Sequence, residues 1–63
     1  MTPTQYKAAI ARLGLSQERA GVWLGYSKRT SQGWALGEYP VPEVVAKLLR
    51  LMVKFEIKPD DTR

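Results

Sequence analysis

Residues 16–34 read SQERAGVWLGYSKRTSQGW, a stretch with helix-forming residues on both sides of a short turn. Ser16 is a typical N-cap for one short helix, and Ser27 is a typical N-cap for a second. Gly25 stands where the chain has to reverse, because glycine adopts left-handed backbone angles without steric cost. Gly21 lies one helical turn earlier, where a missing side chain lets two backbones approach at a cost of roughly 1 kcal/mol relative to alanine. The stretch predicts two short helices joined by about three residues.

Helical patterns continue on both sides of this stretch. Thr2 and Pro3 are a typical capped helix start, and apolar residues then recur at three-and-four spacing until Gly14. Residues 38–42 contain two prolines and predict a loop, because each proline restricts the residue before it. A further helix is predicted over residues 42–57.

No segment shows the period-two alternation of a strand, and no internal repeat is present. We predict an all-α fold, a small four- to five-helix bundle, over residues 1–58, with a flexible C-terminal tail at residues 59–63. Trp34 is predicted to lie in the core of this bundle.

The composition narrows the class of protein. Ten Lys and Arg against six Asp and Glu give a net charge of +4, which suits a polyanionic partner, although small domains also need net charge for solubility. The sequence holds no Cys and no His, so we expect neither an enzyme nor a bound metal or cofactor. No apolar run is long enough to cross a membrane and no signal-peptide pattern is present, so we expect a cytoplasmic protein.

The residues around the turn are similar to a known family. LGLSQERAGVWLGYSKRTSQGW, residues 13–34, resembles the helix-turn-helix of the lambda-repressor-like or Cro-type regulators, and GEYPVPEVVAKLLRLM, residues 37–52, resembles its continuation in small phage-type members. The resemblance covers nearly all of residues 4–55. It implies that residues 1–58 form a DNA-binding domain whose recognition helix, residues 28–36, enters the major groove of double-stranded DNA.

The resemblance also assigns DNA contacts. They fall on Gln17, Ser27, Lys28, Arg29, Gln32 and Gly33. Helical geometry agrees independently, because positions 28, 29, 32, 33 and 36 share one face. Lys28, Arg29 and Gln32 carry the donors that suit guanine and adenine edges, where a good bidentate pair discriminates by about 1–3 kcal/mol.

Several of these residues have a plainer interpretation. Lys28 and Arg29 are also typical of a solvated helix face, and Gln17 is either a phosphate contact or an ordinary residue of a helix start. Arg19 is included among the DNA contacts, although such a residue is more often only exposed to solvent. Tyr39 follows the recognition helix in the loop where family members often contact phosphates, and packing is its alternative role.

The sequence also departs from the family. Members usually have Ala at position 21, an aliphatic residue at position 26 and Val or Ile at position 31, where this chain has Gly21, Tyr26 and Ser31. We hypothesise that the Tyr26 ring occupies room released by Ser31, whose hydroxyl bonds the carbonyl one turn earlier. Ile10 and Ala35 stand where many members carry a buried Arg and Glu pair, and an apolar substitute for such a pair need not cost stability.

The predicted helix at residues 42–57 has an apolar arc of roughly 200°, which exceeds the ~100° that one core requires. One stripe consists of Val44, Leu48, Leu51 and Phe55, and the other of Val45, Leu49, Met52 and Val53. One stripe is therefore predicted to be spare, and the first is assigned as a homodimer interface, the alternative being a deeply embedded helix. A homodimer also fits an inverted-repeat operator, since two recognition helices reach half-sites about one DNA turn apart.

These patterns favour a transcriptional regulator, most simply a repressor that occludes a promoter, with no small-molecule ligand. The alternative is a protein-interaction module of the same fold, such as an antitoxin or a bridging factor. Salt distinguishes the two, because phosphate neutralisation makes log affinity fall steeply with log salt, whereas an apolar protein interface barely responds.

Overall fold

The computed structural model describes residues 1–57 and residue 59, and in this part of the chain all regular structure is helical. Four helices follow one another: α1 at Pro3–Arg12, α2 at Gln17–Trp23, α3 at Lys28–Leu36 and α4 at Glu43–Lys54. The all-α class and the small bundle are confirmed. The tail predicted at residues 59–63 lies outside the described residues apart from Pro59, which is buried.

Each of the first three helices begins at the predicted cap. The Thr2 hydroxyl accepts a hydrogen bond from the Gln5 amide at 3.1 Å, and the Gln5 side chain accepts one from the Thr2 amide at 3.0 Å. Ser16 and Ser27 each accept a bond from the amide three residues on, at 3.2 and 3.1 Å. These bonds satisfy backbone amides that would otherwise have no partner in the first turn, so the helix starts are fixed by local sequence.

The turn between α2 and α3 is built on Gly25, which has a φ of 88°. Its amide donates to the Val22 carbonyl at 3.0 Å, and the next amide, of Tyr26, donates to the Gly21 carbonyl at 2.8 Å. This pair of backward bonds is the Schellman arrangement, which requires a left-handed residue at its centre. The predicted role of Gly25 is confirmed.

The fourth helix ends earlier than predicted. It stops at Lys54, three residues before the predicted end at Ile57. The cause is Glu56, which takes a left-handed φ of 56°, so that the Ile57 amide turns back to the Met52 carbonyl at 2.8 Å. In a sequence, glycine and to a lesser extent asparagine indicate such a helix end. A glutamate at this position does not, so the end could not be predicted.

The core lies where α1, α3 and α4 meet. Trp34 is 2% exposed, as predicted, and its ring meets the edge of the Tyr6 ring with a centroid separation of 5.5 Å. Leu49 of α4 is fully buried beside them. Ile10 and Ala35 both belong to the same buried cluster, so apolar packing occupies the places where the resembled family carries an ion pair. Within the described residues, no helix has the length and apolarity that crossing a bilayer requires.

Candidate nucleic-acid interface

The second and third helices are held at very short range. A Cβ built on Gly21 would come within 2.7 Å of the Ser27 carbonyl oxygen and within 2.7 Å of the Ser31 Cβ. Real Cβ atoms do not approach other heavy atoms so closely, and the first of these neighbours is backbone. Gly21 is therefore needed for the contact, as predicted, and this contact sets how α3 lies across α2.

A buried hydroxyl joins three helices. The Ser31 hydroxyl of α3 donates to the Gln17 carbonyl of α2 at 2.6 Å. Because that uses the only hydrogen on Ser31, the Tyr6 hydroxyl of α1 must be the donor in the 2.5 Å contact between the two hydroxyls. We call Tyr6, Ser31 and Gln17 the hydroxyl relay. The prediction that the Ser31 hydroxyl bonds the carbonyl one turn earlier is wrong, because it donates its hydrogen to the Gln17 carbonyl of α2.

The relay also affects the chemistry of Tyr6. Burial raises the pKa of its phenol above the usual value near 10, because the charged phenolate is poorly solvated inside the protein, and the Ser31 hydroxyl offsets part of this rise. Tyr6 is fully buried, so its hydroxyl depends on Ser31 for its hydrogen bond.

The small side chain at position 31 faces the glycine at position 21. The Ser31 Cβ lies directly opposite Gly21, whereas the Tyr26 ring meets the edge of the Trp34 ring with a centroid separation of 4.9 Å. Two small residues therefore face each other where the resembled family has two larger ones. The hypothesis that the Tyr26 ring occupies room released by Ser31 stays a prediction.

The outer face of α3 presents its cationic residues to solvent. Lys28 and Arg29 are exposed and Gln32 is half-buried. The Arg29 guanidinium lies 3.1 Å from the Glu38 carboxylate, and the two side chains are 64% and 44% exposed. An exposed ion pair of this kind contributes about 0–1 kcal/mol, so Arg29 can exchange Glu38 for another anion at little cost.

The structure contradicts the prediction that Gly33 lies on the exposed, DNA-facing side of α3. Gly33 is buried, and a Cβ built on it would overlap the Tyr39 ring. The chain folds back there because the amides of Glu38 and Tyr39 donate to the Gly33 carbonyl at 2.9 and 3.4 Å. Packing is thus the role the structure gives to the Tyr39 ring, which remains partly exposed. A phosphate contact by its hydroxyl stays a prediction.

Residues of α2 and α3 share one surface groove of about 370 Å³. It is lined by Leu15, Glu18, Arg19, Val22, Trp23, Lys28 and Pro59. The groove brings Arg19 and Lys28, two of the predicted DNA contacts, to the same surface. Gln17 is half-buried at the start of α2. Ser27 uses its hydroxyl locally, because it accepts from the Thr30 amide at 3.1 Å and lies 2.9 Å from the Thr30 hydroxyl.

The charge on this surface is nearly balanced. Residues 16–39 contain three basic side chains, Arg19, Lys28 and Arg29, and two acidic ones, Glu18 and Glu38. The surface is therefore suited to a few directed hydrogen bonds more than to broad attraction of phosphates. Among the described residues no group of three or more His, Cys, Asp or Glu is placed to hold a metal ion.

The two apolar stripes of α4 differ in burial, as predicted. Val45, Leu49 and Met52 are buried in the core. The other stripe lies exposed on the outside, and it consists of Val44, Leu48, Leu51 and Phe55. One stripe is therefore spare in the single chain, and its use as a homodimer interface stays a prediction.

The ion pair between Arg29 and Glu38 is the feature of this surface that sequence reasoning missed. The two residues lie on different sides of the reversal at Gly37, so neither helical spacing nor adjacency signals the contact. Comparisons of the chain with protein-family models, with curated proteins and with solved structures find no match. What the surface of α2 and α3 binds has therefore to be inferred from its own residues.

Proposed function

We propose that this protein is a sequence-specific DNA-binding transcriptional regulator, most simply a repressor, in which α2 and α3 act as a helix-turn-helix. The observation that carries the proposal is the two-sided character of α3. Its inner side is fixed by Trp34 and Ser31 in the core, while Lys28 and Arg29 point to solvent from the first turn. In a helix-turn-helix the N-terminal residues of the second helix contact base edges.

The outer face of α3 has the donors that base recognition needs. An arginine or lysine suits the two acceptors of guanine in the major groove, and a glutamine suits the acceptor and donor of adenine. In this proposal Lys28, Arg29 and Gln32 supply those contacts, and Arg29 leaves Glu38 to do so. The hydroxyl relay supports this role, because it fixes α3 against both α1 and α2 and so holds the three side chains in register with the bases.

Contacts to phosphates would position the domain without specifying sequence. Gln17 and Arg19 at the start of α2, Ser27 before α3 and Tyr39 after it are the candidates for that role. Two copies of the chain would bind the two halves of an inverted repeat, whose centres lie about 34–36 Å apart. The proposal places the protein in the cytoplasm, and it involves no enzymatic step, cofactor or small-molecule ligand.

A second candidate is a protein-interaction module of the same fold, such as an antitoxin or a bridging factor. The observation in its favour is the exposure of Val22 and Leu36, which are 57% and 67% exposed on α2 and α3. Apolar residues amid nearly balanced charges are typical of a surface that contacts protein. Such a partner would bind with little dependence on salt.

The proposal is tested by selecting bound fragments from random double-stranded DNA and then titrating the chain on the recovered sequence. The double variant Lys28→Ala, Arg29→Ala is expected to weaken binding at least about a hundredfold, since each good base contact contributes about 1–3 kcal/mol. Lys7→Ala is the control for the loss of a positive charge, because it removes one exposed lysine from α1 outside the candidate surface. It is expected to change affinity less than about threefold, through net charge alone.

Circular dichroism of both variants shows whether the bundle stays folded. Recovery of no common sequence would contradict the proposal. Equal weakening by the double variant and by Lys7→Ala would also contradict it, since that pattern reflects charge without base recognition. Capture of a protein partner with salt-independent affinity would support the second candidate instead.

A further inference from the structure

The exposed stripe of α4 has the spacing of a helix-pairing seam. Val44, Leu48, Leu51 and Phe55 are separated by four, three and four residues, the alternation that keeps a line of apolar side chains facing a second helix. Their exposed fractions are 78%, 40%, 52% and 62%. The opposite side of α4 is occupied by the core of its own domain.

The exposed area of this stripe is about half of what each partner buries in a standard interface, which is the size of a weak dimer contact. Side chains of this kind have full surfaces of roughly 150–200 Å², so the four expose on the order of 400 Å² per copy. That is about a tenth of the chain's surface of 4249 Å², the share that a specific interface usually covers on a small protein. The stems of neighbouring lysines add to it. We therefore expect association in the micromolar range.

The sizes of the four residues are arranged symmetrically about the middle of the seam. Val44 and Phe55 lie equally far from that middle, and so do Leu48 and Leu51. In an antiparallel pair of α4 helices Val44 therefore meets Phe55 of the second copy, a small residue against a large one at both ends. A parallel pair would place Phe55 against Phe55 at one end and Val44 against Val44 at the other, which would wedge the helices apart.

Charged residues border the seam and do not interrupt it. Glu43 and Lys47 form an exposed ion pair at 3.8 Å, and the Lys54 ammonium lies 5.5 Å from the centre of the Phe55 ring. This gives an apolar centre with a polar rim. In the antiparallel pair Lys47 of one copy lies near Lys54 of the other, so salt should strengthen the pairing by screening like charges.

We propose that two copies of this chain associate through antiparallel α4 helices, with Val44 packed against Phe55 and Leu48 against Leu51. The pairing gives a specific interface to the homodimer of the proposed function. Only the binding of this dimer to an inverted repeat rests on that function. The occupant of the exposed stripe is a second copy because the stripe is complementary to itself.

Sedimentation without DNA tests the pairing with Leu48→Arg, Leu51→Glu and the double variant. Each single change is expected to raise the dimer dissociation constant at least about tenfold. It places a charged side chain against an apolar one in the seam, and it brings two like charges close together. In the double variant the new arginine of each copy faces the new glutamate of the other, and at least half of the loss in log affinity returns. The proposal would be overturned if the double variant folds but recovers no dimer affinity. It would also be overturned if the unmodified chain is monomeric at about 200 µM.

Crosslinking gives an independent test, since the chain contains no cysteine. Val44→Cys mixed with Phe55→Cys is expected to form a disulfide between the two variants on mild oxidation, whereas Val44→Cys on its own is not. Rapid self-crosslinking of Val44→Cys would indicate parallel pairing and refute the proposal. Intact pairing without DNA binding would refute only the proposed function, and DNA binding without pairing would refute only this inference.

Discussion

The Ser31 hydroxyl donates to the Gln17 carbonyl at 2.6 Å while it accepts from Tyr6. One side chain of α3 thereby fixes the distance to both α1 and α2. Because Ser31 is fully buried, these bonds are shielded from water, and losing them leaves buried polar groups without partners.

Replacing this serine by the aliphatic residue of the resembled family should therefore destabilise the fold. Ser31→Val leaves the Tyr6 hydroxyl without its acceptor and adds methyl groups against Gly21. We expect a loss of about 2–4 kcal/mol in the free energy of unfolding, measured by urea denaturation. Tyr6→Phe is the control, and its loss should be smaller, about 1 kcal/mol, because Ser31 keeps its bond to Gln17. A higher melting temperature for Ser31→Val would contradict the relay.

Two glycines in helices should respond differently to substitution by alanine. Gly21→Ala gains helix propensity, yet its Cβ meets the Ser27 backbone and Ser31, so we expect a net loss of about 1–3 kcal/mol. The three atoms nearest to a Cβ built on Gly33 all belong to the Tyr39 ring, which lies partly exposed in a loop and can turn away. There we expect a change within about 1 kcal/mol of zero. Thermal melts of the two variants make the comparison, and equal losses would show that the α2 to α3 distance is not fixed.

Alkaline pH should weaken the fold through Tyr6. Its pKa is raised in the folded protein by burial, so the unfolded chain loses this proton first, near pH 10. The contribution to stability is complete below that pH and falls as the pH rises towards the folded pKa. Unfolding free energies measured from pH 8 to 11 should fall more steeply for the unmodified chain than for Tyr6→Phe. Parallel curves would show that Tyr6 does not contribute.

If the proposed function holds, Glu38 competes with DNA for Arg29. Glu38→Gln removes the carboxylate that lies 3.1 Å from the guanidinium, and we expect DNA affinity to rise about two- to fivefold. Glu43→Gln removes the same charge from the pair with Lys47 on α4 and should raise affinity less than about twofold. Titration by fluorescence anisotropy at one salt concentration compares them. Similar gains from both variants would mean that only net charge matters.

Local chemistry explains which parts of the fold were predictable. The caps at Thr2, Ser16 and Ser27 depend on residues three positions away, so the sequence contains all of their determinants. Gly25 signals its turn because few other residues adopt its backbone angles. Glu56 adopts similar angles without being suited to them, and the end of α4 was therefore placed too late.

The candidate site was less predictable because its details depend on contacts across turns. The helical period correctly placed Lys28 and Arg29 outside. The same period placed Gly33 outside, but the loop after α3 returns and covers it with the Tyr39 ring. The acceptor chosen by Ser31 depends on the distance between α2 and α3, which Gly21 permits but does not specify.

The hydroxyl relay makes the N-terminal helix a determinant of how α3 is aimed. Tyr6 lies on a helix that has no assigned contact with DNA, yet it shares one serine with the helix that presents Lys28 and Arg29. A substitution that tilts α1 will therefore rotate those two side chains. If the proposed function holds, variants selected for altered DNA sequence preference should include changes around Tyr6, far from any base.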